Sequence, residues 1–301
     1  MILVLVCLLG LMGIVLASQE QAFKQSYDAR LLEAEMQADT EADAALLVVD
    51  DLLRHDLTGA SDAVDEPWAT PWRQGDLTIT ITPCNARLNL NQVLGGNRTR
   101  TAVEELLHDA RRPVKGVLLL QDWIDDDREE RVFGSEGKGF AHIGRAYQQR
   151  DRQLQTLEEV LLVDSWEDAD PEWVREHFTV WSTDNRLNVN FVPENVFKAY
   201  LPELASEWLS LEHWREREGG LKNISELQLA IPVLASNVEL YTATLPLVTV
   251  KSTTFRVIIE VDAPLVYVKR RYIVSREIDA ETGGLTVVNR GALTIRPKDL
   301  F

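Results

Sequence analysis

The chain begins with MILVLVCLLGLMGIVLASQ (Met1–Gln19), which holds no charged residue, and the first charge is Glu20. With a rise of about 1.5 Å per residue, an apolar helix of this length matches the thickness of a bilayer's hydrocarbon core. The run therefore predicts a single transmembrane half-helix over residues 1–19. A cleaved secretory signal is the alternative, although no basic residue precedes the apolar run, as such signals require.

The segment that follows continues the helix with a one-sided pattern. No glycine or proline occurs from Ala17 to Thr58. Apolar or small side chains recur at steps of three and four, which places them on one face of a helix. These residues are Phe23, Tyr27, Leu31, Ala34, Ala38, Ala42, Ala45, Val49 and Leu52. The charged residues off this stripe are Glu33, Glu35, Asp39, Asp43 and Asp50. The pattern predicts one unbroken helix of about 55 residues, roughly 80 Å long. A membrane anchor followed by a separate soluble helix is the alternative.

Strand patterns occur early and late in the chain. Leu77–Thr82 (LTITIT) alternates apolar and polar residues, which predicts a half-buried strand. Four later segments are rich in Val, Ile and Thr: Leu245–Val250, Phe255–Val261, Leu265–Val274 and Leu285–Asn289. They predict a meander of antiparallel strands. A sheet with one apolar face needs a cover, and the amphipathic helix can supply it. The fold class is therefore α+β, with a long N-terminal helix packed on an antiparallel sheet.

Residues 85–232 form an insertion between these strands, and their sequence predicts mainly helices. Its helical segments are Thr101–Asp109, Thr156–Val163 and Asn195–Leu211. An internal repeat, Arg-Leu-Asn-apolar-Asn, occurs at residues 87–91 and 186–190 and predicts two related lobes. Asparagine caps helices and forms turns, so each copy indicates a strand-to-helix corner, with a ligand site as the alternative. The predicted organisation is a membrane half-helix (1–19), an α/β domain (20–84 with 233–301) and the insertion.

Composition excludes several classes of protein. The chain has 31 Lys and Arg against 48 Asp and Glu, a net charge of −17, so it lacks the basic footprint of a nucleic-acid binder. Its two cysteines, Cys7 and Cys84, offer no disulfide framework and no zinc spacing. Nucleophile elbows, Walker loops and metal-hydrolase motifs are also missing from the sequence. We therefore expect no enzymatic activity.

An acidic segment is the remaining motif. QDWIDDDREE (Gln121–Glu130) carries six carboxylates, and Gly134-Ser135-Glu136 follows it. Oxygen-rich loops suit Ca²⁺, which takes six to eight oxygen ligands, and suit zinc or copper poorly. Two alternatives remain open at this point: a solvated acidic loop, and the paired carboxylates of a membrane-anchored hydrolase of the glycosidase kind.

Taken in order, these motifs resemble the large minor pseudopilin of bacterial type II secretion, the K component. The order is an apolar N-terminal helix, Trp-x-x-Pro-Trp (68–72), a strand, Asn-Leu-Asn (89–91), Asp-Trp-x-Asp-x-Asp (122–127), Gly-x-Glu (134–136), Thr156–Val163, a second Asn-x-Asn (188–190) and terminal strands. The resemblance covers essentially the whole chain. It implies a pilin-like fold that carries a large two-lobed α-helical insertion.

The resemblance also implies a function. Members of this family cap the tip of a short periplasmic pseudopilus, together with minor pseudopilins of the I and J type and the filament subunits below them. The pseudopilus helps to export folded periplasmic proteins across the outer membrane. The expected location is the bacterial inner membrane, crossed once, with the globular part in the periplasm. A minor pilin of a type IV pilus-like system is the alternative.

Two features depart from the usual pilin pattern. A prepilin peptidase removes a short basic leader from family precursors and methylates the new N-terminus, but no such leader precedes Met1. Most pilins carry Glu at the fifth mature position, whereas this chain has no acid before Glu20. The K component is the usual exception to that rule, and a tip subunit has no neighbour's amine above it to neutralise.

Finally, the resemblance implies structural Ca²⁺ in the insertion. Carried onto this chain, the metal ligands are Asp125, Asp127 and Glu136, with Asp122 and Asp126 as further candidates.

Overall fold

The computed structural model describes residues 2–56, 60–125, 152–182, 185–278, 285–291 and 294–298, with side chains from Leu8 onward except that of Ile278. The helices in the described residues are α1 (Ile2–Ala44), α2 (Leu46–Arg54), α3 (Asn97–Asp109), α4 (Gly116–Ile124), α5 (Pro171–His177), α6 (Glu194–Tyr200), α7 (Trp208–Glu218), α8 (Leu227–Ala230), α9 (Val233–Ser236) and α10 (Val238–Thr244). The strands are β1 (Trp72–Gln74), β2 (Leu77–Pro83), β3 (Leu88–Asn89), β4 (Phe178–Thr179), β5 (Leu187–Asn188), β6 (Val248–Thr249), β7 (Thr254–Asp262), β8 (Val266–Ile278), β9 (Leu285–Arg290) and β10 (Thr294–Pro297).

The first two helices form one nearly continuous rod. Ala45, between α1 and α2, keeps helical backbone angles (φ −62°, ψ −18°), and its N–H donates to the carbonyl of Glu41 at 2.9 Å. The rod therefore extends from residue 2 to residue 54, and the prediction of an unbroken helix is confirmed. Among the residues whose side chains are described, no helix is both long and apolar enough to cross a membrane. The side chains of residues 1–7, part of the predicted membrane segment, lie outside the described residues.

The main sheet is antiparallel and packs against the rod. In the described part of the chain it has the strand order β1-β2-β7-β8-β10, with β9 also paired to β8. Ile79 lies opposite Ile259, and Val257 lies opposite Tyr272. The predicted strands at Leu77–Thr82, Phe255–Val261, Leu265–Val274 and Leu285–Asn289 are thus confirmed, whereas the short strands β1 and β10 were not predicted.

One strand prediction was wrong. The predicted strand Leu245–Val250 is not part of the meander. Its first three residues form a 3-10 helix, and Val248–Thr249 pairs in parallel with Leu187–Asn188. Proline lacks the N–H that a central strand must donate, so Pro246 excludes the first half of this segment from a sheet interior.

The rod packs on one face of the sheet through small side chains. Ala38, Ala42, Ala45 and Val49 are buried against a cluster that includes alternate residues of β2 and β7. Alanine lets the helix backbone approach the sheet closely, and the larger Val and Ile side chains of the strands fill the remaining space. Burial of apolar surface on both sides is the main stabilising term of this core.

The predicted stripe is buried in its second half, as expected, but its first residues are exposed. Leu31 and Ala34 are half-buried, and the stripe residues from Ala38 to Val49 are buried. Phe23 is 77 % exposed and Tyr27 is also exposed, because no element of the described structure lies opposite them. At the other end Leu53 is fully buried, whereas Leu52, the predicted residue, is half-buried.

The acidic residues beside the stripe bind the sheet. Asp39 forms an ion pair with Arg270, and Asp43 accepts a hydrogen bond from the hydroxyl of Tyr272. Burial, and then this bond to a carboxylate, raise the pKa of Tyr272. Asp50 accepts a bond from the backbone N–H of Leu285 at 2.9 Å. Asp39, Asp43 and Asp50, which the sequence placed off the stripe, therefore bind one edge of it to β8 and β9.

The helices α3 to α9, with the segments between them, are called the helical part of the chain below, and they have their own core. Its buried side chains come from α3 to α9 and the segments between them, and include Leu107, Leu120, Trp166 and Phe197. The predicted helix Thr101–Asp109 is confirmed within α3.

The other two helix predictions hold only in part. Thr156–Val163 is a 3-10 helix at Leu157–Leu162. Asn195–Leu211 is not one helix, because Pro202 ends α6, and a 3-10 turn (Pro202–Glu207) separates α6 from α7. The helix α4 was not predicted. The domain boundaries stay a prediction.

Candidate functional site

The first Asn-x-Asn motif is a buried corner. The side-chain oxygen of Asn89 accepts the backbone N–H of Asn91 at 3.0 Å, and its amide donates to the carbonyl of Ser182 at 2.8 Å. The amide of Asn91 pairs with both backbone groups of Leu154, accepting its N–H at 2.8 Å and donating to its carbonyl at 3.0 Å. This corner thereby holds three separate segments of the helical part together.

The second motif repeats this geometry. The side-chain oxygen of Asn188 accepts the backbone N–H of Asn190 at 2.9 Å, and its amide donates to the Ser252 hydroxyl at 2.8 Å. Asn190 pairs with both backbone groups of Leu221, at 2.7 and 2.8 Å, and also donates to the carbonyl of Asp62 at 2.7 Å.

In both motifs the first asparagine ends a short strand of a parallel pair: Asn89 ends β3, which pairs with β4, and Asn188 ends β5, which pairs with β6. All of their asparagine side chains are buried, and the amides already bind backbone or side-chain partners in the protein. A buried amide that is satisfied in this way has little capacity left for a ligand. The strand-to-helix corner interpretation is therefore confirmed.

The acidic segment is only partly within the described residues. Asp122 lies in the last turn of α4 and is 2 % exposed, and Asp125, just past the end of α4, is 6 % exposed. The structure brings these two candidates to the same helix end. The other three candidates, Asp126, Asp127 and Glu136, lie outside the described residues.

Burial of this carboxylate pair has an electrostatic consequence. The C-terminal end of a helix carries partial negative charge, which disfavours anions there. Buried carboxylates are also costly unless positive charge or hydrogen bonds compensate them. Asp122 and Asp125 are therefore not part of a solvated acidic loop. An all-oxygen donor set of this kind fits a hard cation such as Ca²⁺.

A second acidic group was not anticipated from the sequence. Carboxylate oxygens of Asp56, Asp62 and Glu66 lie within 4.8 Å of one another. Arg276 donates to Asp62 at 2.7 Å and to Asp56 at 3.0 Å, and the Trp68 indole donates to Glu66 at 2.6 Å. Burial raises the pKa of Asp62, and the Arg276 charge opposes that rise. Arg276, on β8, pairs with two of these three carboxylates and so joins the end of the rod to the sheet.

A third acidic group differs from the other two in exposure. Glu105, His108 and Asp109 converge on the outer face of α3, and all three are exposed. Exposed acidic groups are common without any ion, so we do not propose a metal site at these three residues.

The outer half of α1 presents a run of exposed apolar side chains. Its exposed apolar side chains, each between 54 % and 77 % accessible, are Leu8, Leu9, Leu11, Met12, Ile14, Val15, Leu16 and Phe23. Successive helix positions differ by about 100°, so neighbouring residues such as Leu8, Leu9 and Leu11 point to different sides of the helix. A continuous apolar surface of this kind requires an apolar partner, either lipid or other helices.

No protein-family model matches the sequence, and no curated protein sequence matches it either. The fold is similar to that of a chain in the crystal structure of the GspK-GspI-GspJ complex from the type 2 secretion system of enterotoxigenic Escherichia coli. The TM-score is 0.62 at 14 % sequence identity, and the match covers 93 % of this chain and 99 % of that chain. At this identity the likeness is one of fold. It confirms the α+β class, and the resemblance to the K component holds at that level.

Proposed function

We propose that this chain is a K-type minor pseudopilin of a bacterial type II secretion system and acts by assembly rather than catalysis. The observation that carries the proposal is the rod of residues 2–54. Its inner half packs on the sheet, and its outer half is exposed and apolar. A rod divided in this way serves two environments in turn. The outer half is held in the inner membrane before assembly, and it packs among like helices in the filament afterwards.

The helical part explains a terminal position in the filament. It adds a second core beside the sheet, and this bulk obstructs any subunit stacked above it. The partners we propose are the I- and J-type minor pseudopilins, with filament subunits below. The proposed outcome is export of folded periplasmic proteins, with the globular part in the periplasm and the N-terminus processed by prepilin peptidase.

Assembly can be tested through the exposed half of the rod. The full chain is expressed with the I- and J-type minor pseudopilins of the same bacterium, and the complex is isolated in mild detergent. We expect the three proteins to co-purify and the chain to restore secretion in a strain that lacks it. Phe23→Asp adds a charge to the exposed apolar helix and should abolish secretion without unfolding the domain. Val238→Asp, at a residue on α10 that is 70 % exposed, is the matched control and should secrete normally.

Two results would contradict the proposal. The first is a chain that does not co-purify with either partner although it is folded. The second is a Phe23→Asp variant that restores secretion as well as the control does.

We also propose that the acidic segment binds structural Ca²⁺. Asp122 and Asp125 supply buried carboxylates at the end of α4, and Asp126, Asp127 and Glu136 are the further proposed ligands. The ion would neutralise carboxylates that otherwise repel one another and so order this segment.

Calcium removal provides the test. We expect EGTA to lower the Tm of the full chain in neutral detergent at fixed pH and salt, because ligand binding to the folded state stabilises it. The double variant Asp122→Asn/Asp125→Asn should lose this response. Glu105→Gln/Asp109→Asn removes two carboxylates from the exposed group on α3 and should keep it. An identical Tm with Ca²⁺ and with EGTA would rule out the calcium site.

A further inference from the structure

A cationic pocket lies where the sheet meets the helical part of the chain. Its cavity volume is about 40 Å³, and the arginines that line it among the described residues are Arg87, Arg175, Arg256 and Arg271. Among the described residues that line the pocket, Glu158 is the only acidic one. The whole chain carries a net charge of −17, so this local excess of positive charge runs against the general composition.

Two of the arginines have carboxylate partners. Arg175 pairs with Glu172 at 3.0 Å and with Glu158 at 3.1 Å, and Arg271 pairs with Glu172 at 3.1 Å. The side chains of Glu172 and Glu158 are 68 % and 50 % exposed. Ion pairs with solvent-exposed carboxylates are weak, because water screens them. They leave the pocket itself positively charged.

The other two arginines donate to backbone carbonyls. Arg87 donates to the carbonyl of Arg175 at 2.9 Å, and Arg256 donates to the same carbonyl at 2.7 Å. The Nε atom of Arg256 is buried and has no hydrogen-bond partner among the described residues. Burial, and then the charge of Arg256, lower the pKa of Arg87. The two guanidinium groups therefore repel each other, and an anion between them would relieve that repulsion.

Two further ionisable groups in the described lining, Cys84 and Tyr272, supply no counter-charge, because the pKa of each is raised. Cys84 is buried, and its desolvation raises the pKa of the thiol to about 11. The thiol is therefore protonated at neutral pH. The four arginines outnumber their two carboxylate partners, Glu158 and Glu172, and an anion from solution can balance the excess positive charge.

The pocket's size limits that group. A cavity of about 40 Å³ holds roughly three water molecules, since each occupies 10–15 Å³ on this measure. This space suits a small anion and is too small for a nucleotide or a sugar. Guanidinium groups match the spacing of phosphate and sulfate oxygens and bind them with charge-assisted hydrogen bonds.

We propose that this pocket binds a small tetrahedral oxyanion, phosphate or sulfate, which joins the sheet to the helical part. Arg256 and Arg271 come from β7 and β8, and Arg175 comes from α5. Arg87 follows a short 3-10 turn (Cys84–Ala86) after β2. A bound anion would thus contact both cores of the protein. The proposal is independent of the secretion function.

Anion binding can be measured on the full chain in neutral detergent. Sodium phosphate and sodium sulfate are titrated in separate calorimetric experiments against sodium chloride of equal ionic strength, and the Tm is recorded in each salt. We expect one anion to bind per chain and to raise the Tm. Comparison of the phosphate and sulfate arms identifies which anion the pocket prefers.

Variants locate the site. Arg256→Gln should weaken binding by about tenfold or more, and Arg256→Lys should retain part of the affinity. Arg271→Gln provides a second variant if Arg256→Gln does not fold. Arg98→Gln is the control, because Arg98 pairs with Glu203 outside the pocket.

Three results would overturn the proposal. The first is no difference between phosphate, sulfate and chloride. The second is an equal loss of affinity in Arg98→Gln and the pocket variants. The third is acetate binding as tightly as the tetrahedral anions, which would indicate a carboxylate site instead.

Discussion

The two halves of the N-terminal rod have the same backbone geometry and opposite surroundings. Residues 8–30 are exposed on all sides, whereas residues from Leu31 to Leu53 pack progressively into the sheet. Both halves carry apolar side chains at helical spacing, so apolar character alone does not separate them. The difference is what lies opposite: β2, β7 and β8 cover the second half, and nothing described covers the first.

This contrast assigns different tasks to the two halves. The second half contributes to the stability of the folded domain, because its burial removes apolar surface from water. The first half contributes little to that stability, and its apolar surface is left for partners. Substitutions along one helix can therefore separate folding from assembly.

The largest expected effect comes from a charge in the buried half. Val49 is fully buried, and Val49→Asp should lower the free energy of unfolding by about 4 kcal/mol, because the carboxylate is buried without a partner. Denaturation followed by circular dichroism in detergent measures this loss. Leu47→Asp on the exposed face of α2 and Leu16→Asp in the outer half are the controls, and each should stay within about 0.5 kcal/mol.

The half-buried position Leu31 sharpens the comparison further. Leu31→Asp should give a loss between those of the Val49 and Leu16 variants, because burial begins near this residue. Equal losses for Leu16→Asp and Val49→Asp would mean that the outer half is also part of the folded core.

A smaller effect is expected at the edge of the stripe. Asp43→Ala removes the acceptor of the Tyr272 hydroxyl and should lower the free energy of unfolding by about 1–3 kcal/mol, because a buried donor loses its partner. Glu33→Ala removes an exposed carboxylate of the same helix and is the matched control. If the two variants unfolded at the same denaturant concentration, the edge contact would contribute nothing.

The smallest effect appears only in alkaline solution. The pKa of Tyr272 is raised in the folded state, so above about pH 10 the unfolded chain loses this proton while the folded chain keeps it. The free energy of unfolding should therefore fall by up to about 1.4 kcal/mol per pH unit in this range.

Replacement of the hydroxyl isolates this slope. Tyr272→Phe should show a shallower alkaline decline than the native chain, whereas Tyr27→Phe, in the exposed half, should not. Parallel declines in all three proteins would show that Tyr272 does not titrate differently on folding.

The candidate sites were predictable to different degrees. The Asn-x-Asn corners were predicted correctly because asparagine turns are local and depend on a two-residue spacing. The acidic segment was found from its density of carboxylates, but the burial of Asp122 and Asp125 was not, since burial depends on what packs over the end of α4. Its ligand set stays a proposal.

The sequence alone was sufficient for the rod, the alternating strands and the α+β class. Each of these follows from periodicity along the chain, which backbone geometry converts directly into a helix face or a strand face. The strand prediction for Leu245–Val250 was wrong, because Pro246 cannot donate an N–H to a sheet and Leu245–Leu247 form a 3-10 helix.

Long-range convergence was decided by the tertiary structure. Arg276 meets Asp62 across 214 positions of sequence, and the arginine pocket draws on four segments between residues 87 and 271. No spacing rule connects such residues, because packing of the two cores brings them together after each element has formed. For the same reason the sequence could not show where along the rod the sheet begins to cover it.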